Sequence, residues 1–218
     1  MAKEAKAGDK VRQFFSKYPI KTYNKGEVLI LADENPQKIS YIVSGHVRQY
    51  DISYRGDEVV VNVFKPEAFF PMSWAIAKTP NRYFFEAGEN LKVHEAPPNE
   101  ALKFLKENPD VALDLLTRLY RGVDGLTRRM AHLMGGSAKS RLLFEIIIEC
   151  RRFGKKTTGQ SYVIDMSESE LGARSGLARE TVSREIKSLK KLSLIDINRQ
   201  GIIIKDINAL ENKLGPNL

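Results

Sequence analysis

A single cysteine, Cys150, is present in 218 residues. It excludes an internal disulfide and leaves no set of the roughly four thiolates that an iron–sulfur cluster needs. Histidine is almost as scarce. His46, His94 and His132 stand far apart, and each reads as a surface or turn residue rather than as a haem ligand. No His-x-His pair with a neighbouring carboxylate supplies a metal centre. Neither a glycine-rich phosphate loop nor a Ser/His/Asp or Cys/His grouping is found. A cupin-like metal enzyme, the rival reading, has no residues to carry it, so neither catalysis nor a cofactor is expected. Long apolar runs are missing too. The longest candidate, 68–77, is interrupted by Pro71 and falls short of the roughly 18 residues that cross a bilayer. The opening MAKEAKAGDK has no apolar stretch resembling a secretory signal. A reduced, cytoplasmic setting without a membrane partner is the expectation.

What the chain does have is positive charge, unevenly spread. The net charge is +8. From Ser137 onward 15 Lys/Arg stand against 10 Asp/Glu, whereas the first 136 residues hold 20 and 17. Basic density in the C-terminal third suits a polyanionic partner, although a solvated basic face would show the same balance.

Three kinds of pattern divide the chain into 1–108, 109–136 and 137–218. From Lys21 to about Pro97, short β-rich runs are separated by turn signals: VLIL (28–31), ISYIVSG (39–45), VRQYDIS (47–53) and VVVNVF (59–64). Strands at this spacing predict an antiparallel sandwich or barrel. After Asn99 the period becomes helical, and Pro109 opens a longer helix. There Ala112, Leu116, Leu119, Val123, Leu126, Met130 and Leu133 fall at alternating steps of four and three, a heptad seam. Arg118, Arg121, Asp124, Arg128 and Arg129 border this narrow stripe, which favours pairing with a second copy over burial in a core. Gly135-Gly136 ends the helix and reads as a hinge.

The last segment opens with an apolar helix, SRLLFEIIIECRRFG (140–154). Ser167 and Glu170 have the spacing of a capping box, Gly176 makes a tight turn, and a second helix runs from about Ala178 to Leu192. Two short helices around such a turn predict a helix-turn-helix. IDIN, a turn at Arg199-Gln200-Gly201 and IIIK predict a two-stranded wing. On the second helix Val182, Ile186 and Leu189 share one face, while Arg179, Glu180, Ser183, Arg184 and Lys187 fall within about 140° on the other. Arg184 has the fork to pair with guanine O6 and N7, and Glu180 can accept from a cytosine amino group. Arg179 and Ser183 suit further base or phosphate contacts. Thr181, Ser167 and Lys187 suit phosphates. A vestigial helix-turn-helix acting through protein contacts would not need this reading face.

RETVSREI, preceded by SESELGARSGLA and followed by a basic wing, resembles the DNA-binding domain of the catabolite-activator/fumarate–nitrate-regulator (Crp/Fnr) family. YNKGEVL and ISYIVSGHVRQYD resemble that family's cyclic-nucleotide-binding-type barrel. The resemblance covers nearly the whole chain. It implies an α+β protein with a jelly-roll-like sensing barrel, a long dimerisation helix and a C-terminal winged helix. It also implies a homodimeric transcription regulator with double-stranded DNA and RNA polymerase as partners. Arg179, Glu180 and Arg184 match base-contacting positions of the catabolite-activator branch. Glu180, Ser183 and Arg184 match the Glu-x-x-Ser-Arg arrangement of the fumarate–nitrate branch. A palindromic site with half-sites resembling TGTGA or TTGA follows from that match.

The stretch PEAFFPMSWAIAKTPNRYFF (66–85) gathers four of the ten Phe and the only Trp. In cyclic-nucleotide-binding members of the resembled family, a Gly-Glu pair holds the ribose and an Arg-Ser pair about ten residues later holds the phosphate. Without gaps, Pro71-Met72 takes the first place here, and Arg82-Tyr83 the second. The phosphate partner is kept and the ribose acceptor is lost, so cyclic AMP is not expected to bind. Two readings stay open. Arg82 binds another anionic or aromatic ligand among Phe69, Phe70, Met72, Trp74 and Tyr83, or it is a surface residue beside a space filled by the protein's own aromatics.

Overall fold

Short runs rich in β-branched and aromatic residues bury one face only by pairing with partners distant in the chain. The computed structural model describes residues 6–54, 56, 58–157, 159, 161–198 and 201–214, and the chain divides into two units between Tyr120 and Arg121. In the first unit, α1 (Ala7–Phe15) leads into β1 (Ile20–Tyr23), β2 (Val28–Ile30), β3 (Ile39–Ser44), β4 (Val47–Ile52), β5 (Glu58–Phe64) and β6 (Phe69–Phe70). There follow α2 (Met72–Ala77), β7 (Phe84–Ala87), β8 (Leu91–Ala96), α3 (Pro98–Glu107) and the start of α4 (Pro109–Gly135). Two antiparallel sheets result, with strand orders β1-β8-β3-β6 and β2-β7-β4-β5.

Alternation along the strands sorts their side chains into two cores. Ile42, Val47, Phe70, Phe85, Ala87, Leu91 and Val93 form one cluster shared by both sheets. Phe70 stacks on Phe64 and on Phe85, with ring centroids 5.0 and 5.3 Å away, and those two rings are 6.0 Å apart. Ile39 and Tyr41, on the opposite face of β3, meet the helices instead. With Val11, Phe15, Met72, Ala75, Leu105 and Val111 they make the second cluster. The first turns of α4 are seated there: Val111 is buried, Leu115 packs against the cluster, and Asp110 pairs with Lys10 of α1 at 2.8 Å.

The second unit contains the remainder of α4, then α5 (Ala138–Phe153), β9 (Lys155–Lys156) and β10 (Tyr162–Ile164). It continues with α6 (Glu168–Ser175), α7 (Arg179–Lys191), β11 (Ile195–Asn198), β12 (Gly201–Ile204) and α8 (Ile207–Leu214). Its core is built around α5, whose Leu142, Leu143, Ile146, Ile147 and Cys150 meet Leu171 of α6, Val182, Ile186 and Leu189 of α7, and Leu210 of α8. Ile164, Ile195, Ile202 and Ile204 of the sheet close it.

The fold is the expected α+β arrangement, and the helix-turn-helix and the strands 195–198 and 201–204 lie where the sequence places them. The wing is larger than two strands, because β10 and β9 extend it in the order β11-β12-β10-β9. Arg199 and Gln200 of the expected turn lie outside the described residues. α4 ends at Gly135, as the glycine pair suggests.

Burial, the main cause, pushes the Cys150 thiol up to about 11, so at neutral pH it is protonated and poorly nucleophilic. A thiol-labelling reagent should leave native protein unmodified and label Cys150 fully once it is denatured. Ile146→Ala removes a fully buried branch and should cost about 2–5 kcal/mol. It should be read as labelling of Cys150 at lower urea concentration than in the parent chain.

Candidate nucleic-acid interface

The two helices that would meet DNA are held by local chemistry. The Ser167 Oγ accepts from the Glu170 amide at 3.2 Å, and a Glu170 carboxylate oxygen accepts from the Ser167 amide at 2.8 Å. The capping box is therefore formed. The Ser167 hydroxyl also donates to Glu170 at 2.8 Å, and Ser167 is exposed. Gly176 ends α6 with a φ of +62°, a left-handed conformation that favours glycine. Gly172 matters for space. A Cβ there would lie 2.9 Å from the Leu177 carbonyl oxygen, in the chain that returns to begin α7.

α7 is divided as its sequence demands. Val182, Ile186 and Leu189 are buried, while Arg179, Glu180, Arg184 and Lys187 are exposed and Thr181 and Ser183 are half-buried. Arg184 donates weakly to the Thr181 hydroxyl at 3.5 Å. Among the described residues Arg179, Glu180, Arg184 and Lys187 have no ion-pair partner, so their charges stay available to a ligand. No side chain caps the first amides of α7, since its N-cap is Ala178. Such amides favour an anion.

The same unit contains a charge cluster that sequence reasoning missed. Arg129 of α4 donates to Glu145 of α5 at 2.6 Å and to the backbone carbonyl of Arg174 in α6 at 3.1 Å. Arg174 in turn donates to Glu149, one turn along α5, at 2.5 Å. Glu145 and Glu149 are buried. Burial raises the Glu145 carboxyl above its usual range, with Arg129 opposing. The available signal was two carboxylates four residues apart in the otherwise apolar run 142–150.

The sensor residues are placed in two environments. Met72 and Trp74 pack into the helix-covered cluster, with Met72 buried and Trp74 half-buried. Arg82 and Tyr83 are exposed. Between them Asn81 is buried, and its amide nitrogen donates to the carbonyls of Leu31 and Tyr83, both at 2.9 Å. Asn81, also unnoticed in the sequence, thus pins the 78–83 loop to the loop after β2. The three histidines have no grouping with Cys, Asp or Glu able to hold a metal among the described residues.

An exposed basic helix in a winged helix-turn-helix, carried with a double-sheet sensor-type domain, defines a class of DNA-binding regulator. Comparison agrees. A cyclic nucleotide-binding domain matches residues 20–108, and a Crp-like helix-turn-helix domain matches residues 140–213. The chain belongs to the Crp/Fnr family of transcription regulators. It is 25% identical to the anaerobic regulatory protein of Haemophilus influenzae over 90% of this chain and 77% of that one. It is 22% identical to the cAMP-activated global transcriptional regulator CRP of Pasteurella multocida over 88% and 92%. Among solved structures, a CooA mutant from Carboxydothermus hydrogenoformans shares the fold with a TM-score of 0.76 at 18% identity, over 98% of this chain and 97% of that one. No helix among the described residues is long and apolar enough to cross a membrane.

Gly172→Val should force the α6–α7 connection apart and cost about 1–3 kcal/mol of stability in this unit. Asn81→Ala should cost a similar amount, about 1–3 kcal/mol, by removing the two hydrogen bonds that its side chain donates. Denaturation followed by Trp74 fluorescence for Asn81→Ala, and by Cys150 labelling for Gly172→Val, separates the two effects.

Proposed function

We propose that this chain is a homodimeric regulator that reads a palindromic DNA site through α7 and does so without cyclic AMP. The observation that carries the reading is the exposed set Arg179, Glu180 and Arg184 opposite the buried Val182, Ile186 and Leu189. Arg184 reads a guanine, Glu180 a cytosine amino group, and Ser183 and Arg179 neighbouring bases or phosphates. Thr181 and Lys187 reach phosphates. Ser167, which also caps α6, contacts a phosphate as well. Half-sites containing a GA step then lie about one helical turn, roughly 34 Å, apart.

A second copy is supported by α4. Leu116, Leu119, Val123, Leu126 and Met130 of the heptad seam are all exposed in the single chain, Leu119 and Met130 at 59% and 60%. An apolar stripe of this length is covered in a coiled-coil pair. In this reading residues 1–108 sense, 109–136 dimerise and 137–218 bind DNA, in the cytoplasm, with RNA polymerase as the partner the bound dimer meets.

Sensing is of a different kind from cyclic-nucleotide recognition. Met72, in the place of the ribose acceptor, is committed to the core, and Arg82 is at the surface. The stacked Phe64, Phe70 and Phe85 occupy the space between the sheets, which favours the self-filled barrel over a ligand pocket around Arg82, Met72, Trp74 and Tyr83.

Site selection from random DNA, with affinities measured at several salt concentrations, tests the reading. Enrichment of a two-fold symmetric site whose affinity falls with salt is expected. Absence of any palindrome would sink it. Arg184→Ala should lose about 1–3 kcal/mol on the selected site and relax preference at one G·C pair. Equal weakening on all sequences would contradict its base-reading role. Calorimetry with cyclic AMP should show no binding, and Leu119→Asp should yield monomers by sedimentation.

A further inference from the structure

The charge cluster joins the consecutive helices α4 and α5 to α6, the first helix of the helix-turn-helix. Arg129 uses one guanidinium for two tasks: its Nε meets Glu145 of α5, and its Nη2 meets the carbonyl of Arg174 in the last turn of α6. That carbonyl belongs to a helix end, where intrahelical partners run out. The side chain of Arg174 closes the circuit on Glu149. The Glu145 and Glu149 side chains are only 5% and 10% exposed, and a pair so withheld from water resists sliding, because parting it strands a charge. One turn beyond Arg129, His132 stacks on Phe144 with centroids 4.3 Å apart. α4 is thereby fastened to α5 at two consecutive turns, and to α6 at the first of them.

None of these groups belongs to the exposed reading face of α7. The geometry points to Arg129 as a positioning residue that sets the helix-turn-helix at a fixed attitude to α4. This rests on the dimeric reading above. If α4 pairs with its copy, the attitude of each helix-turn-helix to α4 sets the distance between the two α7 helices. Arg129 then governs which half-site spacing the dimer accepts, while the bases read within each half-site are left to α7. Planarity matters: a guanidinium serves a carboxylate and a carbonyl along two fixed directions, which a lysine ammonium does not reproduce.

The test uses the full-length chain and a set of DNA duplexes in which the selected half-sites are separated by the best spacing and by one or two base pairs more or fewer. An isolated half-site is included. The parent chain should favour one spacing sharply. Arg129→Gln and Glu145→Gln should bind the isolated half-site as the parent does and keep its base preference, while the ratio between best and neighbouring spacings falls about tenfold. Arg129→Lys, which keeps the charge, should fall between them and the parent, and it carries the test if the glutamine variants do not fold by circular dichroism. A spacing profile as sharp as the parent's in the folded variants would overturn the proposal. So would a loss shared equally by all spacings and by the isolated half-site, which would mean that the cluster merely supports the fold. If the parent itself shows no spacing preference, the dimeric reading fails first, and that outcome is visible before any variant is measured.

Discussion

The DNA-binding unit depends on one constraint: α5 has more apolar surface than any single neighbour can cover. Leu142, Leu143, Ile146, Ile147 and Cys150 form a face about 140° wide, and Phe144 is buried on another side, so α6, α7, α8 and the small sheet all dock against it. Docking consumes the Val182–Ile186–Leu189 face of α7 and leaves the opposite face outward. The polar residues of that face are then displayed because the core has taken the other side. Hydrophobic burial thus orients a chemically specific surface without contributing any of its specificity.

Two carboxylates on the same helix resist that scheme. Glu145 and Glu149 are buried beside Leu142 and Ile146, and they are tolerated because Arg129 and Arg174 arrive from other helices with matching donors. Such pairs add little net stability over an apolar replacement, because their desolvation offsets the attraction. Their gain is geometric. An apolar contact permits neighbouring packings of similar energy, whereas a charge with one partner has one good position. A core of branched aliphatics holds this unit together, and the ion pairs select one arrangement of α4, α5 and α6.

In the first unit the aromatic stretch 66–85 is divided between both cores. Phe70 and Phe85 stack between the sheets, while Phe69, Met72 and Trp74 pack under the helices. Period-2 alternation makes this division: Phe69 and Phe70 are adjacent in β6 and so point to opposite faces. A dense run of aromatics thereby serves two clusters. Arg82 and Tyr83, in the loop that Asn81 pins, face solvent, as do Ile76 and residues 77–80.

Much of this was legible in the chain alone. The helix-turn-helix, its capping box, the glycine turn, the outward set on α7 and the heptad stripe on α4 all follow from spacings under about ten residues. At that range backbone periodicity and capping chemistry decide the outcome. α1, α2 and α8, the strands β1 and β6 to β10, and the Arg129–Glu145–Arg174 cluster were not read from it. β1 pairs with β8, Ile20 opposite His94. Arg129 meets a carboxylate 16 residues away and a carbonyl 45 away. Capping, turns and local helix faces were determined by sequence because each depends on neighbours along the chain. Which core an aromatic entered, and which buried charges met, was decided only by tertiary structure, because those energies exist only after distant segments have been brought together and water removed from between them.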